Sequence, residues 1–307
     1  MNTLASAGQL ANFVIGGTEK AGTTSIFTYL SEHPQVCGSK VKETDFFRNH
    51  ATGDLAADAR RYAEYFDRCA SDSRIYMEAS PGYLGGGEAV ATRMHALIPE
   101  ARLLFVLRDP VDRLYSSFNF HVGKLNLPAD LDFETYIDKC IAYDGGQADA
   151  PSLGIGDWYL KAITHGRYAD YLEPFFRLYG PARVKIMFFE DLNRDVAAFM
   201  AELSEFLEIS PEFFAGYDFR KINATFSGKV KWLHQLAVYV NGKTEPFLRQ
   251  RPKLKRTIVD TYKKFFQARE GYDPMSDAAR AKLKAYYRPS VDALKGYLAS
   301  GSTPWSI

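Results

Sequence analysis

Lys20 stands inside a short polar stretch, Gly17-Thr18-Glu19-Lys20-Ala21-Gly22-Thr23-Thr24-Ser25, between the apolar run Phe13 to Ile15 and the helix-forming run Ile26 to Leu30. A cation set among glycines and hydroxyls at a strand-to-helix junction suits an anion. Loop N–H groups and the first-turn N–H groups of the helix face the ligand, and the helix dipole favours negative charge there. Gly17 and Gly22 have the spacing of the G-x-x-x-x-G-K-[ST] nucleotide loop, but Thr23 stands where that loop carries its Lys. A Lys three residues earlier meets a phosphate chain from a different side. It suits a leaving oxygen better than a γ-phosphate held with magnesium. No obvious magnesium-binding acid follows, because the next strongly apolar strand, Arg102 to Leu107, ends in Arg108-Asp109-Pro110.

That second strand leads into a Pro-started helix, R-D-P-V-D-R-L-Y-S-S-F. Arg108 lies at the strand's end, and Ser116 follows eight residues on, about two helical turns along. An Arg fork and a hydroxyl together grip a phosphate. Two phosphate sites from two strand-to-helix turns imply a nucleotide with phosphate at both ends of its ribose.

The T-E-K-A-G-T-T-S loop, the segment K-E-T-D-F-F (Lys42 to Phe47) and R-D-P-V-D-R-L-Y-S-S-F, in this order, resemble the sulfotransferases that use 3′-phosphoadenosine-5′-phosphosulfate (PAPS). The branch most similar is the heparan-sulfate type with its bacterial relatives. The likeness is good over roughly Phe13 to Asp191 and loose over the C-terminal third. It implies that Lys20, Ala21, Gly22, Thr23, Thr24 and Ser25 hold the 5′-phosphosulfate, and that Arg108 and Ser116 hold the 3′-phosphate. Glu43 matches the family's catalytic base, with Lys20 as its catalytic cation, and no metal is required. The basic loop Asn223 to Lys231 falls near the place of a family loop that closes over the nucleotide, which implicates Gly228, Lys229 and Lys231. One departure stands out. Where the family often reads Glu-Lys-Ser/Thr-Pro, this chain reads Glu78-Ala79-Ser80-Pro81. Either Lys20 works alone there or another cation enters from elsewhere.

The elements that must position these residues alternate. Short apolar strands near Val36, Ile75 to Ala79, Arg102 to Leu107 and Lys185 to Phe189 are separated by helical runs: Thr52 to Arg68, Glu88 to Ile98, the run after Pro110, aromatic-rich Asp157 to Phe176, and Asp195 to Leu207. This predicts an α/β fold, a P-loop-like three-layer sandwich with a central parallel sheet flanked by helices. The C-terminal third is expected to be mostly helical. Ligands of such sheets bind at the strands' carboxyl ends, where both phosphate motifs and Glu78 fall. The acidic stretch 125–157 is expected to be a solvated helix and loop, or else a rim for the acceptor. No linker divides the chain, so residues 1–307 are expected to form a single domain with a core over about 12–210.

At 46% hydrophobic and 14% aromatic residues the chain buries a substantial core, and its net charge of +1 argues against a general nucleic-acid binder. The three cysteines are widely spaced and form neither a metal motif nor a disulfide framework, which points to a reducing compartment. Met1 to Ala11 lacks the charge and apolar core of a signal peptide, and no run reaches the roughly 18 apolar residues of a membrane span. A soluble, cytoplasmic bacterial protein acting on a small-molecule or glycan acceptor, with 3′,5′-ADP as product, is the expectation. Alternatives on the same fold are a nucleotide kinase-like P-loop enzyme and a non-catalytic nucleotide- or glycan-binding protein. His121, after the second phosphate motif, is the reserve candidate for a base.

Overall fold

The computed structural model describes residues 8–70, 72–124, 126–128, 130–219 and 274–307, with backbone strands at 226–228 and 267–270. These residues fall into two compact units. One lies within residues 1–113, 165–222 and 284–307, the other within 114–164 and 223–283.

The first unit is built on five strands: β1 (Phe13–Gly17), β2 (Val36–Gly38), β3 (Ile75–Ala79), β4 (Arg102–Leu107) and β5 (Val184–Phe188). They run in the order β2-β3-β1-β4-β5, every neighbouring pair parallel. Successive strand residues face opposite ways, so each strand feeds two cores. Val14, Leu103 and Phe105 belong to one core, and Phe13, Ile15, Leu104 and Val106 to the other. Helix α1 (Thr23–Ser31) covers the second face, with α2 (Leu55–Ala63) and α3 (Gly87–Leu97) on the first. Helix α4 (Pro110–Gly123) follows β4 and continues into the second unit. The expected three-layer arrangement is present.

Three local expectations change. The glycines do not end β1, which continues through Gly16 and Gly17. A Cβ at Gly16 would lie 2.7 Å from the Phe105 ring and one at Gly17 2.9 Å from Leu84, and the register against β4 shifts between Ile15 and Gly17, so the glycines admit close neighbours where the strand is irregular. The run Thr52 to Arg68 divides into α2, capped by the Asp54 carboxylate, and a 3-10 turn, Glu64–Phe66. Leu55, at the start of α2, is exposed. Aromatic-rich Asp157 to Phe176 is not one helix, because the turn Thr164–Gly166 interrupts it.

The second unit contains α5 (Phe133–Asp144), α6 (Ala150–Leu153) and α7 (Asp157–Leu160). Four acids of this stretch have partners within the unit. Asp132 and Asp149 cap α5 and α6, and Asp138 and Glu134 bind Lys282 and Ser276. Tyr115 packs edge to face on Phe133, and Phe118 packs at a tilt against Phe133 and Tyr136. An antiparallel pair, β6 (Phe226–Gly228) with β7 (Gln267–Glu270), adds strands that the sequence did not signal. Back in the first unit, α8 (Tyr168–Tyr179), α9 (Phe189–Arg194) and α10 (Val196–Leu207) follow. The helix Asp277–Leu294 supplies the helical C-terminal region.

The cysteine expectation is overturned. Cys37 in β2 and Cys69, 32 residues on, form a disulfide with their Cα atoms 5.7 Å apart, leaving Cys140 buried and outside the disulfide. The two meet because the loop after β2 folds back on the turn that follows α2, where the Lys40 amide donates to the Tyr65 carbonyl at 2.9 Å. Spacing in sequence carries no sign of that approach. Denatured without reductant, the protein is expected to show one titratable thiol, rising to three after reduction; three at the outset would refute the pairing. Replacing Cys37 and Cys69 by Ser should cost about 2–4 kcal/mol in denaturant unfolding.

Candidate functional site

Strand β1 lies between β3 and β4, where the chain's strand order turns from one side of the sheet to the other. This is the place at which open parallel sheets leave a crevice beyond their carboxyl ends. Three loops of the first unit converge at these ends: Thr18 to Gly22 after β1, Glu43 to Phe47 beside β3, and Arg108-Asp109 after β4.

The first loop has a shape few residues tolerate. Gly22 begins α1 at φ 78°, and a Cβ there would lie 2.7 Å from Leu192. Lys20 also adopts the left-handed region, at φ 69°. That conformation turns the Lys20 carbonyl toward Arg108, whose Nη1 donates to it at 3.0 Å. No side chain caps the start of α1 and no acid occupies its first turn, so its positive end is not met from within the helix. Ala21 and Thr23 are buried, and Thr24 and Ser25 are half-buried.

Arg108 is fixed on several sides. Its guanidinium lies 4.7 Å from the Phe189 ring centroid, and its carbonyl accepts from the Tyr168 hydroxyl at 2.8 Å. Burial pushes its pKa down from the usual value, while the carboxylates of Asp112 and Glu190 act to hold it up. Asp109 is committed elsewhere. Its carboxylate accepts from the Val111 amide at 2.8 Å at the start of α4, and its own amide donates to Glu190 at 2.8 Å. Burial raises the Asp109 pKa, reinforced by the Asp112 carboxylate.

Glu43 is held by its backbone and leaves its side chain about half exposed, at 54%. Its amide donates to the Ala79 carbonyl at 2.8 Å, and it sits at φ 65°. Lys42 reaches the Glu43 carboxylate at 2.5 Å, so a cation does enter beside Ala79, from the residue before the acid. Lys42 carries no sequence signal for this pairing. Phe46 and Phe47 do not wall an open site. Both are buried, with rings 4.9 and 5.0 Å from Tyr62, and they anchor the loop to the core. Asp45 pairs with Arg48 at 3.3 Å, a structural role. Beneath the loop, Glu78 is fully buried and accepts hydrogen bonds from the hydroxyls of Thr44, Tyr62, Ser80 and Tyr83. Burial raises its pKa, and the four hydroxyls act against that rise. Of these partners, the hydroxyls of Ser80 and Tyr83 in E-A-S-P-G-Y were the readable signal.

The structure thus brings Lys20, Ala21, Gly22, Thr23, Thr24, Ser25 and Arg108 to adjacent strand ends, with Glu43 on the β3 side. Ser116 is buried on α4 in the second unit. His121 belongs to that unit too, with Nδ1 3.1 Å from the Asn126 amide nitrogen and its ring against Tyr159. Gly228 is the last residue of β6, while Lys229 and Lys231 lie outside the described residues. A cavity of about 670 Å³ lies at the opposite, amino-terminal ends of the strands, lined by Asn12, Arg74, Arg102, Arg183, Glu100 and Glu208. Its arginines are paired with its glutamates, and it is remote from this chemistry. Among the described residues no group of three His, Cys, Asp or Glu is arranged to hold a metal ion, and no helix is long and apolar enough to cross a membrane.

A family model described as "Sulfotransferase domain" matches residues 10–286. The human "Bifunctional heparan sulfate N-deacetylase/N-sulfotransferase 3" is 24% identical over 91% of this chain and 29% of its own length. The Dictyostelium discoideum "Membrane-associated sulfotransferase kil1" is 31% identical over 42% of this chain and 28% of its own. The chain therefore spans less than a third of either relative. In fold, it superposes on a sulfotransferase from Alicyclobacillus acidocaldarius with TM-score 0.62 at 22% identity, over 95% of this chain and 99% of that one.

The loop geometry has a direct test. Gly22→Ala adds both left-handed strain, about 1–3 kcal/mol, and a clash with Leu192. Gly53→Ala, at φ 92° with nothing within 4 Å of the added carbon, adds strain alone. Chemical denaturation should show the larger loss for Gly22→Ala; equal losses would mean that the β1–α1 loop is not packed as described.

Proposed function

The chain belongs to the sulfotransferase domain family, and on that premise we propose that it transfers a sulfuryl group from PAPS to an acceptor hydroxyl or amine on a carbohydrate. The observation that carries this reading is the hydrogen bond from Arg108 to the Lys20 carbonyl. It joins two cation-bearing turns on neighbouring strands, the arrangement a doubly phosphorylated ribonucleotide asks for. The relatives named for heparan sulfate N-sulfotransfer support a glycan acceptor and keep an amine among the candidates. The matched stretch runs through both compact units, which supports their acting as one sulfotransferase domain.

In this mechanism Lys20, Ala21, Gly22 and the Thr23, Thr24 and Ser25 start of α1 bind the 5′-phosphosulfate. Arg108 binds the 3′-phosphate; Ser116, Gly228, Lys229 and Lys231 are assigned to the donor by the sequence resemblance. The acceptor oxygen or nitrogen attacks sulfur in line. The bond from sulfur to the bridging oxygen breaks, and 3′,5′-ADP leaves carrying the electron pair. Glu43 takes the acceptor's proton. Lys20 and the helix N–H groups meet the charge that grows on the bridging oxygen. Fixed cations and amides suffice for this, so the reaction is proposed to need no metal. Lys42 shares the Glu43 carboxylate and sets where its free oxygen points.

A cytoplasmic location was expected from unpaired cysteines. The Cys37–Cys69 bond removes that premise and favours an oxidising compartment, to be read from the thiol state of the protein taken from its host.

The donor reading predicts selectivity for a 3′-phosphate. A ligand that binds only the native state raises its stability, so 3′,5′-ADP should raise Tm well above ADP at equal concentration. Arg108→Ala should remove most of that difference, since a charge-assisted hydrogen bond contributes about 1.5–3 kcal/mol. Equal shifts from the two nucleotides would overturn the reading.

The base assignment is tested on a glycan acceptor panel with labelled PAPS and a chelator present. Glu43→Gln should keep 3′,5′-ADP affinity and lose about a hundred- to ten-thousandfold in rate. Near-normal turnover would remove Glu43 from the role.

A further inference from the structure

A buried carboxylate is ordinarily met by a cation or a metal. Glu78 is met by four hydroxyls, and its carboxylate has no exposed surface. It therefore touches neither donor nor acceptor. Its partners nevertheless surround the loop that presents Glu43.

That loop needs holding. Glu43 and Asp45 are both non-glycine residues in the left-handed region, at φ 65° and 48°, with Thr44 between them. Such a pair persists only where the surroundings over-determine it. The restraints can be followed one by one. The Thr44 hydroxyl binds Glu78 and accepts from the Phe46 amide at 3.2 Å. The Asp45 amide donates to the Ser80 hydroxyl at 3.0 Å, and that hydroxyl donates to Glu78 at 2.7 Å. The Phe47 amide donates to the Tyr83 hydroxyl at 3.4 Å, and Tyr83 donates to Glu78 at 2.6 Å. Amides of three of the loop's five residues thus end on a hydroxyl bound to the same carboxylate. With Thr44 drawn inward to 6% exposure, the neighbouring Glu43 side chain is turned outward to 54%.

We infer that Glu78 is a positioning residue, whose carboxylate gathers the Thr44, Ser80 and Tyr83 hydroxyls into a cage that fixes the Glu43 loop with its acid presented at the strand ends. The inference rests on the role given to Glu43 above. A neutral isostere fits the cage poorly, because a carboxylate accepts from all four hydroxyls at once while an amide spends half its positions as donors. Removing the hydroxyl beside the acid releases the loop without touching either phosphate turn.

The test uses Thr44→Val, which keeps shape and loses the donor, with Thr44→Ser as the rescue and Glu43→Gln as the second corner of a cycle. Hydrogen exchange by mass spectrometry over residues 43–47 is the readout independent of activity. Thr44→Val is expected to speed exchange there, leave β1 and β4 protected, and keep 3′,5′-ADP affinity. Turnover should fall about ten- to a hundredfold, Thr44→Ser should restore it, and Glu43→Gln with Thr44→Val should be no slower than Glu43→Gln alone. Unchanged exchange would overturn the inference whatever the rate, as would unchanged turnover with faster exchange, or losses that multiply in the double variant. Should the wild-type chain transfer no sulfuryl group to any acceptor, the functional reading fails and exchange alone decides whether Glu78 holds the loop.

Discussion

Strand β1 is buried along its whole length between β3 and β4, and the arrangement of the site depends on that position. A parallel strand with neighbours on both sides satisfies its backbone groups only if both stay in register. Val14 then sits beside Glu78 on one side and Leu103 on the other. Once this register is set, the loop after β1 can meet only the turns that end β3 and β4. Gly16 and Gly17 take part by lacking side chains, which lets Phe105 and Leu84 close against the strand at its last turn before the loop. The Arg108 bond to the Lys20 carbonyl follows from the register and spans 88 residues of sequence.

The two sides of β1 carry different chemistry because they solve different electrostatic problems. On the β4 side a cation is partly desolvated against Phe189, with carboxylates near enough to keep it charged. On the β3 side a carboxylate is fully desolvated. Burying an ion costs several kcal/mol even after relaxation, and hydrogen bonds to a charged group return about 1.5–3 kcal/mol each. Four hydroxyl donors are thus of the right order to keep Glu78 tolerable. Among the described non-glycine residues four are left-handed, each adding about 1–3 kcal/mol of strain: Glu208 ends α10, and Lys20, Glu43 and Asp45 are the other three. All three lie in the two loops that carry Lys20 and Glu43, and the rest of the first unit, with its two cores of aliphatic and aromatic side chains, supplies the stability that holds them.

The acids of the second unit have a plainer account. Asp132 and Asp149 satisfy helix N-termini, where a side-chain acceptor contributes about 1 kcal/mol. Glu134 and Asp138 tie α5 to Ser276 and Lys282. These four carboxylates have structural partners within the second unit.

The sequence by itself determined the fold class, the five parallel strands and the two cation-bearing turns. These are local: an apolar run of the right length, glycines and hydroxyls at a junction, and a proline opening a helix all act over a few residues, and their physics needs no distant partner. Glu43 was legible as a candidate through its short segment. The tertiary structure alone decided that Lys42 accompanies Glu43, that Cys37 meets Cys69, that Phe46 and Phe47 anchor rather than line, and that Glu78 sits among hydroxyls. Thr44 and Tyr62 lie 34 and 16 residues from Glu78, at no periodic spacing. Such contacts arise when β3 is laid beside β1 and α2 packs over its end, and a hydrogen bond fixed by that packing leaves no trace in the order of residues along the chain.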